Sequence, residues 1–303
     1  MKCNLQSSIL VFLPSYNESL EIPKTMKLIN DCQQIIQTNY GIFFDILVID
    51  DGSSDDSLSI LKNYTDSRFK LISHQQNQGY GATIWEGLIY AKNNGYKWII
   101  TFDMDGQHDK EGLMTILNHI LIEQGNIDIF SGSRYMENAK FLNNPWKDRF
   151  LVNTIITGML RILGIDLTDA FCGLKGYRLS SLDKIDVKLK GYEMPIEFLL
   201  QAKKKDLVIK ETQVPVIYKE WEIVRMKRTC KDFLFKDGSA RLARYANLIT
   251  KLAPKKEFKR IQNYQKIYQK YMESVETITK QNFKDIQEEI FCEMFLLEKA
   301  IIQ

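Results

Sequence analysis

The stretch KWIITFDMDGQHD, residues 97–109, decides how this chain reads. It opens as a short apolar run of the kind that forms a buried strand. It then ends in two carboxylates one residue apart, Asp103 and Asp105, followed by a glycine. In extended backbone, residues two apart point the same way, so both carboxylates would sit on one side of a strand end. Such hard oxygen donors suit Mg²⁺ or Mn²⁺, with waters and substrate phosphates completing the shell. An Asp-x-Asp pair alone equally fits a solvated turn or a helix cap; the apolar strand before it is what gives it weight. His108, just beyond, reads either as a metal ligand or as a base.

The same arrangement recurs on either side. SSILVFLP (7–14) is an apolar run ending in PSYNE, and FFDILVID (43–50) is a second ending in DDGSSDD. FKLIS (69–73) and IDIFSGS (127–133) are further strand-like runs. Helical patterns alternate with them. Leu28, Ile29, Cys32, Ile35 and Ile36 repeat at helical spacing after Asn17 or Ser19, either of which offers a cap. Residues 55–63 and 111–124 read as helices, and so does GATIWEGLIYAKNNG (81–95), opened by Gly79 and Gly81. Strand and helix alternating at this spacing predict βαβ units and a mostly parallel sheet flanked by helices. Ligands of such sheets bind beyond the carboxyl ends of the strands, where the polar motifs fall.

Past residue 135 the pattern loosens. FLVNTIITGMLRILG (150–164) is an amphipathic helix and TDAFCGLKGYR (168–178) is turn-rich. YEMPIEFLLQAKKK (192–205) is a helix with Pro195 in its first turn, and LVIKETQVPVIY (207–218) a last strand that Pro215 places at an edge or end. The segment 219–254 is basic over its first part and connects to a polar helical tail, 255–303. The reading is thus a catalytic domain over 1–218, a basic connection over 219–254 and an amphipathic tail over 255–303.

Composition narrows the class. The chain has 303 residues, 45% of them apolar and 26% charged, which excludes disordered and fibrous proteins. A net charge of +3 makes no demand for nucleic acid. Five scattered cysteines, with no CxxC pair, fit reduced thiols in the cytoplasm better than a disulfide or zinc framework. The first apolar run lacks a cleavage site, and the best uncharged run, Phe150 to Leu160, falls short of the roughly 20 residues a spanning helix needs. Any meeting with a membrane is expected from the side, on its cytoplasmic face.

Other constellations are weaker by themselves. Asp50-Asp51-Gly52-Ser53 fits a carboxylate that accepts from a ribose hydroxyl or a base N–H, and equally fits ordinary turn chemistry. Asn77-Gln78-Gly79-Tyr80-Gly81 lacks the Gly-Lys-Ser/Thr of a phosphate loop and reads as a turn that lets backbone approach a ligand. His74 and His119 read as surface or satisfied histidines.

Taken in order, ILVFLPSYNE, LVIDDGSSDDS, NQGYGATIWEGL, FDMDGQHD, SGSRY, DRFLVN, TDAFCGLKGYR, YEMPIEFLLQA and KETQVPVIY resemble the family-2 glycosyltransferases of the GT-A fold. The group most resembled is the dolichyl- or polyprenyl-phosphate sugar transferases, over about residues 8–218. The resemblance implies a cradle for the nucleotide base from Pro14, Tyr16, Asn17 and Glu18, with Asp51 at base and ribose. It implies donor contacts from Gly79, Asp103, Gln107 and Arg134, and a metal held by Asp103 and Asp105, the latter the more direct ligand. Arg149 and Asn153 match positions near the acceptor phosphate, and Asp169 matches a catalytic aspartate. Glu193 and Glu197 are further carboxylates, Glu197 being taken with Asp105 and Asp169 as catalytic. Asp109 departs from the family, which has proline there, and Arg225 to Arg228 match a basic family segment only loosely.

The implied activity is inverting, metal-dependent transfer of a hexose from a UDP- or GDP-sugar to a polyprenyl or dolichyl phosphate. A cell-surface glycan or another soluble acceptor is the alternative. A nucleotidyltransferase would want a glycine- and lysine-rich loop where PSYNES stands, and a non-catalytic binding module has no need of Asp103, Asp105 and Asp169. The basic stretch 219–244 fits an anionic membrane surface or a hold on donor phosphates. The tail must bury an apolar face, on its own domain, against a second subunit in a homo-oligomer, or on lipid.

Overall fold

A computed structural model describes residues 8–122, 126–136, 141–142, 146–217, 239–263 and 266. The apolar runs become strands β1 (Ile9–Ser15), β2 (Asp45–Asp50), β3 (Phe69–Ser73), β4 (Trp98–Thr101) and β5 (Ile129–Ser133). Between them lie helices α1 (Ile22–Tyr40), α2 (Ser57–Leu61), α3 (Tyr80–Asn93) and α4 (Lys110–Ile122). A short strand β6 (Phe141–Leu142) and helix α5 (Trp146–Ile162) follow. Then come β7 (Lys175–Arg178), a 3-10 turn over Leu179–Lys184, α6 (Met194–Lys204), β8 (Ile209–Gln213), β9 (Val216–Ile217) and α7 (Ser239–Leu252).

The seven-stranded sheet runs β3-β2-β1-β4-β7-β5-β8, and β6 pairs with β9 in a separate two-stranded sheet. All pairs of the large sheet are parallel except those of β7, which is antiparallel to both β4 and β5. Alternate residues of the central strands face opposite layers. Ile9, Val11 and Leu13 pack with Ile22, Met26, Ile29, Cys32 and Ile36 of α1, and with Leu113, Ile116 and Leu117 of α4. Leu10 and Phe12 pack with Ile84, Leu88 and Ala91 of α3 and with Phe198 of α6. Each such side chain, fully buried, contributes about 1.5–3 kcal/mol by removing apolar surface from water.

Register sets the site. Ser15 pairs with Asp50, and Phe12 with Thr101, so β1, β2 and β4 deliver their following loops to one edge of the sheet. Gly87 keeps α3 tight on that sheet, since a Cβ there would lie 2.4 Å from the Phe12 ring.

Three local readings change. Neither Asn17 nor Ser19 caps α1; the helix begins at Ile22 with a proline in its first turn and Glu21 at the cap, without a side-chain cap bond. The end of the turn-rich TDAFCGLKGYR is strand: Lys175–Arg178 lies inside the sheet between β4 and β5. The last strand is two, β8 and β9, broken at Val214 and Pro215.

The chain divides into two compact units, Met1–Asn144 with Phe171–Lys219, and Pro145–Ala170 with Glu220–Gln303. Helix α5 belongs to the second, where it packs with α7. Ile155, Ile156, Met159 and Leu160 of α5 are buried, as are Tyr245, Ala246 and Ile249 of α7. The described apolar residues of α5 therefore serve as core. Most of the basic stretch 219–244, and the tail beyond residue 266, lie outside the described residues. Among the described residues no helix is long and apolar enough to cross a membrane.

Candidate active site at the strand ends

The loop after β1 and the loop after β2 are stitched together by their own polar residues. Asn17 sits in the left-handed region, φ 57°, and its Oδ1 accepts from the backbone N–H of Ser54 (2.8 Å) and Asp55 (3.3 Å). In return Asn17 N–H donates to Ser53 Oγ at 2.9 Å, Glu18 N–H to Ser57 Oγ at 2.8 Å and Ser19 N–H to Asp55 Oδ2 at 3.1 Å. Asn17 and Glu18 thus fix the shape of a cradle in which Pro14 is half-buried and the Tyr16 ring is left 47% exposed.

Asp51 is buried and its oxygens are committed to the protein. Oδ1 accepts from Gln78 N–H at 2.8 Å and lies 2.7 Å from His74 Nδ1; Oδ2 accepts from Gly79 N–H at 3.0 Å. Its neighbour Asp50 receives Ser53 N–H on Oδ2, while its buried Oδ1 has no partner. Gly52, at φ +70°, lets the loop above come close, since a Cβ there would lie 2.5 Å from the Gln76 carbonyl carbon. Gly79, at φ +100°, caps α3, and a Cβ there would lie 2.9 Å from the carbonyl oxygen of Lys190.

The paired aspartates lie in the loop after β4, their side chains partly exposed on either side of the buried Met104. Asp103 Oδ1 receives the Tyr80 hydroxyl at 3.4 Å, and Oδ2 is 3.7 Å from His108 Nε2. Burial raises the Tyr80 hydroxyl well above its ordinary range, with Asp103 adding to the shift, so Tyr80 stays a donor. Its ring stacks on that of Tyr192, 5.4 Å between centroids, and Tyr192 is 61% exposed. Asp105 Oδ1 accepts from Gln107 N–H at 2.9 Å, which turns the chain after the pair. The cleft for Asp103 comes from the loop just before β7, where Gly173 has no side chain in the space its carboxylate occupies.

These residues fit a hard divalent cation. The donors are carboxylate oxygens, and the glycine cradle leaves Asp103 room. Among the described residues no group of three or more His, Cys, Asp or Glu forms a closed metal site. Asp103 and Asp105 would therefore supply part of a shell whose remainder comes from phosphates and water, the usual habit of Mg²⁺. His108 is buried with Nδ1 unpartnered, and its Nε2 faces Asp103.

Gln107 and Arg134 are also buried, Arg134 with its guanidinium 5.5 Å from the centre of the Tyr135 ring. Glu197, expected to be catalytic, holds a loop: Oε2 accepts from the backbone N–H of Lys188 (3.0 Å) and Leu189 (2.8 Å), and Oε1 from Gln201 Nε2 at 3.3 Å. That loop reaches α3, where Ala82 N–H donates to Lys190 O at 3.0 Å.

In the second unit Asn153 and Asp169 meet. Asn153 Nδ2 donates to Thr168 O at 2.7 Å and Oδ1 accepts from Ala170 N–H at 3.1 Å, so the amide brackets the fully buried Asp169. Asn153, expected at the acceptor phosphate, uses both ends of its amide on the backbone either side of that aspartate. The Arg149 side chain lies outside the described residues.

A seven-stranded mixed sheet with acidic loops gathered at the strand ends is the build of a GT-A glycosyltransferase. The sequence model described as glycosyl transferase family 2 matches residues 10–186, and the chain belongs to that family. It is 30% identical over 72% of its length to a UDP-N-acetylglucosamine–dolichyl-phosphate N-acetylglucosaminyltransferase of Methanococcus voltae, spanning 88% of that protein. It is 28% identical over 71% of its length to a polyprenol monophosphomannose synthase of Mycolicibacterium smegmatis, spanning 78% of that protein. Among solved structures, glucosyl-3-phosphoglycerate synthase from Mycobacterium tuberculosis, in complex with Mn²⁺, UDP and glucosyl-3-phosphoglycerate, superposes with a TM-score of 0.52. That match is at 16% identity over 74% of this chain and 77% of the other, and shows the fold.

Proposed function

We propose that this glycosyltransferase moves a hexose from a UDP- or GDP-sugar to a polyprenyl or dolichyl phosphate, with inversion and with Mg²⁺ or Mn²⁺ bound at Asp103 and Asp105. The observation that carries the reading is Asp103 itself, placed at the shared strand edge beside Asp105 and seated in a gap left by Gly173. The names of the Methanococcus and Mycolicibacterium relatives support the lipid-phosphate acceptor.

A bound divalent ion would supply Lewis-acid neutralisation of the leaving diphosphate. The chain's own residues do the rest. Asn17 and Ser53 to Ser57 fix the nucleotide cradle, Asp51 holds the loop ahead of α3, and Tyr80 donates to Asp103 and so sets the orientation of that carboxylate. A lipid phosphate is already anionic and needs positioning more than deprotonation. Asp169, held by Asn153, is the carboxylate we assign as a base on a hydroxyl acceptor. A lipid acceptor would bring the enzyme to a membrane surface, and we assign the cytoplasmic face.

The test is a transfer assay with UDP- and GDP-hexoses, Mn²⁺ and a short polyprenyl phosphate. A labelled lipid-linked sugar of inverted anomeric configuration is the expected product. Transfer only to soluble glycans, or none with any nucleotide-sugar, would reject the reading.

A further inference from the structure

His74, at the foot of β3, sits between two carboxylates. Its side chain is 6% exposed, with Nδ1 2.7 Å from Asp51 Oδ1 and Nε2 2.8 Å from Glu86 Oε2. A neutral imidazole has one N–H and one lone pair, so it satisfies one carboxylate and turns its lone pair on the other. Only the imidazolium donates to both. Asp51 is at the same time bound to the N–H groups of Gln78 and Gly79, and Glu86 stands on α3. One proton therefore ties the end of β2, the loop ahead of α3 and α3 itself.

We infer that His74, as the imidazolium, is a positioning residue that holds residues 75–79 in the shape the donor nucleotide meets. The ligand in this statement rests on the nucleotide-sugar reading; the tie between Asp51, His74 and Glu86 does not. Asp51 faces the imidazole from the end of β2 and Glu86 from α3. From β2 itself, Asp50 offers its carbonyl to His74 N–H at 2.9 Å. Among the described residues no Lys or Arg pairs with Asp51 or Glu86.

Burial by itself would lower the pKa of His74, but its bonds to Asp51 and Glu86 and their charges outweigh that and raise it. The tie is therefore complete below the ordinary histidine value of about 6.5 and is lost as pH rises through the raised folded value. When the proton leaves, the bonds from Gln78 and Gly79 N–H to Asp51 are no longer braced against α3, so they open more readily. Glu86, its side chain 41% exposed, is the partner that turns to water.

Glu86→Gln separates charge from contact. A glutamine amide accepts from the imidazolium and donates to the neutral ring, so the bridge survives in both states.

The experiment is an NMR titration of histidine-labelled protein from about pH 5 to pH 9, bracketing the ordinary histidine range. The chain has three histidines, and His74→Gln assigns the signal. His74 is expected to titrate above its ordinary value in the wild type, and lower in Glu86→Gln than in the wild type, since that variant loses one adjacent charge. Amide-exchange protection of Gln78 and Gly79 should fall through the same interval in the wild type and stay level in Glu86→Gln. The affinities of UDP and GDP, each with Mn²⁺, should be read in parallel, with the preferred nucleotide weakening about tenfold across that interval as one charged hydrogen bond is lost. His74 titrating at or below the ordinary value, level protection in the wild type, or nucleotide affinity that ignores the His74 titration would each overturn the inference. Should neither nucleotide bind at any pH while His74 titrates high and protection follows it, the tie stands and the donor reading is what fails.

Discussion

Gly173 lies so close to Asp103 that a Cβ at position 173 would stand 1.8 Å from Oδ2. The carbonyl of the same glycine accepts the Thr101 hydroxyl at 2.6 Å, which fixes its backbone beside the end of β4. The fold therefore reserves for a carboxylate the volume of one methyl group. Gly173→Ala should displace the Asp103 side chain, held by a long hydrogen bond from Tyr80, more than the backbone. The expected outcome is a loss of about a hundredfold or more in turnover, comparable to removing one well-placed polar group from an active site. The melting temperature should change little. Near-normal turnover would show that Asp103 acts from another position.

Asp105→Asn keeps an acceptor for Gln107 N–H but removes the charge. Turnover should fall by about 10²–10³-fold with the fold intact, and chelation should abolish wild-type activity until Mn²⁺ or Mg²⁺ is returned. Full turnover in excess chelator would contradict the assignment.

Glu197 separates two roles by two substitutions. Glu197→Ala strands the N–H groups of Lys188 and Leu189, at about 1–3 kcal/mol. Glu197→Gln retains an acceptor oxygen for them. Urea unfolding should show the larger loss for alanine, and turnover should follow the same order. If both variants are equally dead yet equally stable, the carboxylate itself does chemistry.

Asn153→Ala removes both bonds that bracket Asp169. A stability loss of about 1–3 kcal/mol is expected from the buried groups left unpaired. Turnover should drop with every acceptor tested, since the position of Asp169 is disturbed. A change confined to the KM of the lipid acceptor would return Asn153 to direct contact with it.

Much of this architecture is legible in the order of residues because its central strands carry apolar runs, Ile9–Leu13 and Ile46–Ile49, buried on both faces. ILVFLPS and DILVID leave no room for another reading once DDGS and PSYN follow them. The strand KGYR is different. It is four residues long and has a cation at each end, and Lys175 belongs inside the sheet only because its ammonium finds Ser131 Oγ, 2.7 Å away on β5. No local pattern announces a partner so far off in the chain. His74 illustrates the same limit: it reads as an ordinary histidine until the fold brings Asp51 and Glu86 to either side of its ring. Asn17 reads as a helix cap because its residue type suits one, yet the same amide oxygen serves as well across to Ser54 and Asp55. In each case the residue's chemistry was readable and its partner was not.

The place of β7 has a consequence for how the protein is made. Strand β5, each of its residues buried in the finished sheet, is flanked there by β7 and β8 alone. Both are synthesised later. As the chain leaves the ribosome, IFSGS has no neighbour on either side until Lys175–Arg178, and then Ile209–Gln213, have emerged. During that interval β2, β1 and β4 can already pair with one another, while β5 presents two unpaired edges. Nascent molecules caught at this stage share the same sticky ribbon, so crowded or chilled expression should favour aggregates nucleated there. Slowing translation just after β5 should lower the yield of folded enzyme, whereas slowing it after β8 should not.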